Sequence, residues 1–239
     1  MSFEFLLIGI ILTIASFTQG FSGFGFQLVA LSIITFFIDV KLAIPMCALF
    51  GLIINIYLII DLHKHIKFFE LKNLILGSII GIPAGAFFLS TANPDLIKFL
   101  LGFVLILFVL ISLGKVGHSI TIGDKWAYVF GFFSGLLGGA FNTNGPPVLI
   151  YFYLHGWDKY KQKASITGFF IFSSVLIVFS HLMIGLTTRS VLTNFFIYLP
   201  FIFIGQIAGK FLFGKISSIV YNKFILLFLF AAGLFMIFG

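Results

Sequence analysis

Charge is scarce in this chain. Only 9% of its 239 residues are charged, and seven of them are acidic. Glu4, Asp39, Asp61, Glu70, Asp95, Asp124 and Asp158 all fall at the ends of apolar runs. No carboxylate stands inside a run as a proton relay or a sodium ligand, so neither a metal nor a cofactor is expected. The single cysteine, Cys47, rules out an intrachain disulfide. There is no long polar segment from which a separate soluble domain could be built. The N-terminus lacks a basic start and carries Glu4 instead, and its apolar run continues past any small-residue cleavage site. It reads as a first membrane segment rather than a signal peptide.

Apolar residues are abundant: they make up 61% of the chain, including 36 phenylalanines. A soluble domain of this length has no interior large enough to hide them, so the lipid bilayer is the main solvent. The net charge of +7 lies in short loops between apolar runs. That placement fits the bias of cationic loops toward the cytoplasm better than a nucleic-acid surface, and no nucleic-acid partner is expected.

The apolar runs cover about 5–37, 42–61, 72–92, 96–114, 126–154, 164–187, 190–213 and 221–239. Six have the length of about 20 residues that one helical crossing needs. The other two, 5–37 and 126–154, are too long for one upright crossing, and both are interrupted by glycines and small polar residues. The first reads Gln19-Gly20-Phe21-Ser22-Gly23-Phe24-Gly25-Phe26-Gln27. The second ends Ala140-Phe141-Asn142-Thr143-Asn144-Gly145-Pro146-Pro147. A helix broken in hydrocarbon leaves backbone groups unsatisfied, so such breaks survive only beside protein or a water-filled cavity. Matched breaks in two halves point to a transporter's binding site.

The 14 basic residues decide how the broken runs are threaded. If every run crosses once, the basic residues divide six against eight. If the broken runs are hairpins, only Lys41, Lys98 and Arg189 lie on one side, against eleven on the other. The second division has the cationic bias of a cytoplasmic face and leaves both termini outside the cytoplasm. Parity does not distinguish a re-entrant hairpin from a fully spanning one.

With hairpins, each half becomes one broken hairpin followed by three crossings, and the second half inserts inverted. Repeat one covers 1–118 (hairpin 5–37, spans 42–61, 72–92 and 96–114). Repeat two covers 119–239 (hairpin 126–154, spans 164–187, 190–213 and 221–239). Echoes run in the same order through both: Lys98-Phe99 with Lys223-Phe224, Leu101 with Leu226, and Gly77 and Gly81 with Gly205 and Gly209. The expected fold is an all-α polytopic membrane protein of two inverted-topology repeats, forming one integral membrane domain.

Inverted repeats place the substrate near mid-membrane. Asn144 before Gly145-Pro146-Pro147 reads as a helix start, and so does Gly25 before Phe26-Gln27. Each returning arm then points a helix N-terminus inward, an arrangement that favours an anion. Gln19, Ser22, Gln27, Asn142, Thr143 and Asn144 add neutral polar groups. Gly20, Gly23, Gly25, Gly139 and Gly145 allow close backbone approach to a ligand. Asn55 and Thr167 stand mid-span in the first crossing after each hairpin, where cavity lining and interhelical hydrogen bonding are equal readings. Gly77, Gly81, Gly85, Gly205 and Gly209 read as helix-packing residues. His63, His65, His155 and His181 read as interfacial.

These features resemble the TauE/SafE family of sulfite exporters and related carriers of sulfur-containing anions. The resemblance rests on Gly20–Gln27 and on Gly135–Pro147, followed by Gly156-Trp157-Asp158-Lys159 and Ala164, and it extends over the whole chain. Members often carry a denser glycine cluster in the second break than Asn142 and Asn144 allow. The resemblance implies a prokaryotic cytoplasmic membrane and a small anionic substrate, sulfite or an organosulfonate. It implies transport rather than enzymatic turnover. A passive anion channel or an uptake carrier fits the same scaffold. An intramembrane serine protease using Ser22 and His181 is a remote rival, because such an enzyme needs one Ser–His pair and not a duplicated architecture. Assembly as a homo-oligomer lies beyond the sequence.

Overall fold

The computed structural model describes residues 3–62, 66–114, 123–154, 159–212 and 218–238. These form ten helices and, among the described residues, no strand. They are α1 (Phe3–Ser22), α2 (Phe26–Ile34), α3 (Val40–Leu62), α4 (Phe68–Thr91), α5 (Pro94–Leu113), α6 (Trp126–Phe141), α7 (Gly145–Leu154), α8 (Lys159–Met183), α9 (Arg189–Leu212) and α10 (Ser218–Phe238). Six of the helices are long and apolar enough to cross a membrane, and large apolar side chains such as Ile80, Phe196 and Phe211 face outward. The chain is a multi-pass membrane protein. Both interrupted runs are broken in their interior, at 23–25 and at 142–144.

The helices fall into two compact units. Unit 1 comprises 1–47, 92–116 and 189–239; unit 2 comprises 48–91 and 117–188. Neither coincides with a half of the sequence. Unit 1 holds the first broken run with α5, α9 and α10, and unit 2 holds the second broken run with α4 and α8.

In unit 2, α4 and α6 touch backbone to backbone. Gly77, Gly81 and Gly85 press on Tyr128, Phe132 and Leu136, and Gly131, Gly135 and Gly139 press on Leu74, Ser78 and Ile82. A methyl group at any of these six glycines would collide with a main-chain carbonyl of the facing helix. Lipid gives apolar helices no hydrophobic reason to associate, so small residues that permit such approach supply the packing. Residue numbers rise together along the pair, so α4 and α6 are parallel. Helix α8 is also parallel to α4: Gly168 lies against Ile66 and Leu71, and Ile177 shares a buried cluster with Ile82. Because α6 and α8 run the same way and only α7 lies between them, α7 returns the chain. The second break is a hairpin.

Unit 1 contains the same kind of pairing. Gly205 of α9 meets Thr13 and Phe17 of α1, and Gly209 meets Phe17 and Phe21, again in parallel. The Ser16 hydroxyl donates to the Ile202 carbonyl at 2.6 Å, tying the helices further. Helices α5 and α10 cross antiparallel where Gly102 meets Gly233 and Ile237, and Gly233 meets Ile106. At the first break a Cβ on Gly25 would stand 3.1 Å from the Thr18 methyl. Residues seven apart in a straight helix are about 10 Å apart along its axis, so the chain folds back here.

The two hairpins are unequal in their arms. At 1.5 Å per residue, the 20 residues of α1 span about 30 Å, whereas the nine of α2 and ten of α7 span about 14 and 15 Å. Each returning arm therefore covers about half of the apolar thickness.

Replacing Gly81 with Val should collapse the α4–α6 contact and destabilise the protein by about 2 kcal/mol or more. Gly123→Ala, at a position with no neighbour within 4 Å, serves as the control. Thermal unfolding in detergent should show a lowered midpoint for the first variant only.

Candidate functional site

The second break is held by one face of α8. Ser173, Ile177 and His181 recur every four residues, which places them on one stripe of the helix. The Asn144 amide donates to the Ser173 hydroxyl. Ile177 lies at Gly138, where a Cβ would be 3.1 Å from its methyl carbon. His181 Nε2 is 2.8 Å from the Gly139 carbonyl oxygen. From within the hairpin, the Ser134 hydroxyl donates to the Asn144 carbonyl.

Part of the broken backbone is bonded within the turn. Asn142 adopts the left-handed conformation at φ 54°, which Asn tolerates better than most residues, and so terminates α6. Its N–H bonds the Gly138 carbonyl at 2.8 Å, and the Thr143 N–H bonds the Leu137 carbonyl at 3.3 Å. With His181 on Gly139, three carbonyls near the end of α6 have donors. Two donor-bearing side-chain atoms in the turn have no partner: Asn142 Nδ2 and Thr143 Oγ1 are both buried and unbonded. Such groups cost about 1–3 kcal/mol each when left unpaired.

The N-terminus of α7 starts from Asn144 and Gly145, which meet Ser173 and Phe170 halfway along the apolar stretch Ala164–Met183. Pro146 and Pro147 occupy the second and third positions of α7 and carry no N–H. Of the first three helical positions only Gly145 has a backbone donor. Asn55 and Thr167 are buried in the same unit; the Asn55 amide reaches the Phe170 carbonyl at 3.4 Å and ties α3 to α8.

The first break has different chemistry. Gly23 and Gly25 take φ values of 84° and 102°, a conformation that side chains disfavour. Helix α2 begins at Phe26 with no side-chain cap, and its first bond runs from the Val29 N–H to the Gly25 carbonyl. The N–H groups of Gln27 and Leu28 thus have no acceptor within the helix. Gln19 is buried and Gln27 half-buried. Gly20 faces the α9 backbone at Gln206 and Lys210, and Gly139 faces α4, so both are packed on a neighbouring helix. The Ser22 side chain lies outside the described residues.

Three residues at these breaks were not singled out by the sequence reading. Ser134 and Ser173 hold Asn144. Gln206 is 1% exposed with neither side-chain amide atom bonded, and its carbonyl adjoins Gly20. A glutamine between Gly205 and Gly209 in an apolar span was a legible signal, because a polar side chain there is costly in lipid. His181 corrects an expectation: it is fully buried rather than interfacial, because the carbonyl released by the end of α6 draws it inward. His63, His65 and His155 lie outside the described residues.

A model of the family described as sulfite exporter TauE/SafE matches residues 7–236. No curated protein and no solved structure matches the chain.

Asn144→Ala and Ser173→Ala should each lower the thermal stability of the purified protein. The double variant should fall short of their sum by about 1 kcal/mol, since each single change removes the same bond. Strict additivity would show that Asn144 is not anchored by Ser173.

Proposed function

The chain belongs to the TauE/SafE family of sulfite exporters, and we propose that it exports a small sulfur-containing anion, sulfite or an organosulfonate, held at the hairpin turns. The observation that carries this reading is the pair of buried, unbonded groups in the second turn, Asn142 Nδ2 and Thr143 Oγ1. Both groups can donate to oxygen, they lie at a helix break, and no carboxylate among the described residues accompanies them. A neutral donor set suits an anion that must also be released, because a fixed lysine or arginine would hold it too tightly.

Asn144 acts here as the scaffold that sets the turn, anchored by Ser134 and Ser173. Gly145 and Pro146 start the returning arm at the middle of the apolar stretch. Asn55 and Thr167 support the same unit from α3 and α8. In unit 1, Gln19, Gly20, Ser22, Gly23, Gly25 and Gln27 form the corresponding element, with the uncapped start of α2 as its donor. The use of paired glycines to seat a broken hairpin in both units supports a duplicated design with inverted halves. The charge distribution supports external termini and a cytoplasmic membrane of a prokaryote. With the cytoplasm negative, each exported negative charge gains about 2.3 kcal/mol for every 100 mV, so the membrane potential itself favours outward movement.

The test is flux of radiolabelled sulfite in proteoliposomes holding the full chain, with and without an imposed potential. The expected flux is saturable, driven by the potential and subject to counterflow, which separates a carrier from a channel. Thr143→Val, Asn142→Gly and Gly25→Leu should each lower it about tenfold or more while the protein still inserts, a loss that corresponds to about 1.4 kcal/mol of substrate or transition-state binding. Normal flux in all three would remove the turns from the transport path.

A further inference from the structure

His181 stands apart from the other titratable groups on the described helices of unit 2. Helix α4 carries Glu70 and Lys72 near its start, and α6 carries Tyr128 near its start. Helix α8 has Lys159, Tyr160, Lys161 and Lys163 in its opening turns. Since α4, α6 and α8 are parallel, all of these lie at the end opposite His181. Helix α7 has Tyr151 and Tyr153 in its second half, running toward that same opposite end. Helix α3 is antiparallel to α8, with Asn55 at Phe170 and Ala48 in the cluster of Ile177, so its Tyr57 and Asp61 lie there too, while Cys47 and Lys41 stand earlier on α3, toward its other end. Among the described residues of unit 2, which takes in α3 from Ala48 onward, no other titratable side chain lies at the His181 end of the helices packed on α8.

The hydrogen bonding of the ring defines its chemistry. A carbonyl oxygen can only accept, so the nitrogen 2.8 Å from Gly139 O carries the hydrogen. In the neutral ring Nδ1 is then an acceptor, and this atom is buried with no donor facing it. Bonding the Gly139 carbonyl requires one N–H, which a glutamine amide also supplies; it does not account for a second, unbonded ring nitrogen. Gly139 lies three residues before Asn142, so the ring adjoins the turn that carries the unbonded Asn142 and Thr143 groups.

We propose that His181 is a proton-binding site that works together with the second turn. When the turn holds its anion, Nδ1 takes one proton from water while Nε2–H stays on Gly139, and the imidazolium neutralises one negative charge. No carboxylate on the described helices of unit 2 lies at this end to serve as its counter-charge; the anion is. This rests on the anion-transport reading above and adds the charge that balances the substrate. A dianion would move together with one proton and carry one net negative charge. Proton and anion affinities must then strengthen each other by the same factor.

The test uses the full-length chain in nanodiscs with nitrogen-15-labelled histidine. The His181 ring signals are assigned by their loss in His181→Gln, a change that keeps an N–H for Gly139. At a fixed pH of about 7, sodium sulfite should move the His181 ring toward imidazolium, and equal sodium chloride should not. Sulfite affinity, measured on the same samples from pH 6.5 to 8, should change about tenfold more in the wild type than in His181→Gln. The titration of sulfite itself appears equally in both proteins and cancels in the comparison. Sulfite binding or flux with an unchanged His181 ring overturns the proton site alone. Absence of both binding and flux in the wild type overturns the anion reading and this inference with it. The ring measurement on the wild type decides the matter even if the variant fails to fold.

Discussion

The contact on which the rest of the structure depends is backbone against backbone, between α4 and α6 in one unit and between α1 and α9 in the other. Lipid provides no hydrophobic drive for two apolar helices to meet, so stability comes from close packing, and glycine permits the closest approach. Six glycines alternate across the α4–α6 seam, each under a carbonyl of the facing helix. The seam fixes the long arm of the hairpin and therefore the height at which it breaks. Every polar group in the turn depends on that height.

The break is then a problem in hydrogen-bond accounting. Ending α6 releases carbonyls into an apolar surrounding, where each needs a donor. Two are bonded by the N–H groups of Asn142 and Thr143, and a third by His181. The Asn144 carbonyl is bonded by Ser134, and its amide by Ser173. After these bonds are made, Asn142 Nδ2, Thr143 Oγ1 and Nδ1 of His181 remain unbonded.

The two breaks differ in where their donors lie. The proline pair after Gly145 removes two main-chain donors from the start of α7, and the donors left in this turn belong to side chains. The first break has the opposite character, with an uncapped helix start and glycines at positive φ. Its donors belong to the main chain.

The sequence by itself determined the solvent, the helices and where they break. Hydrophobic length and polar interruption are local properties, and a break at Asn142–Asn144 or Gly23–Gly25 is written in residues that either terminate a helix or cannot lie unsatisfied in lipid. The packing role of Gly77, Gly81, Gly85, Gly205 and Gly209 was legible for the same reason, from their spacing. Only the tertiary structure decided which helices those glycines meet, because a smooth apolar face matches many partners and the choice depends on three-dimensional fit. It also decided that the returning arms are short and that Ser134, Ser173 and Gln206 adjoin the breaks. His181 shows the difference most clearly: its place in the chain, near the end of α8, suggests an interface. The neighbouring carbonyl of Gly139, 42 residues earlier in sequence, makes it a buried part of the turn.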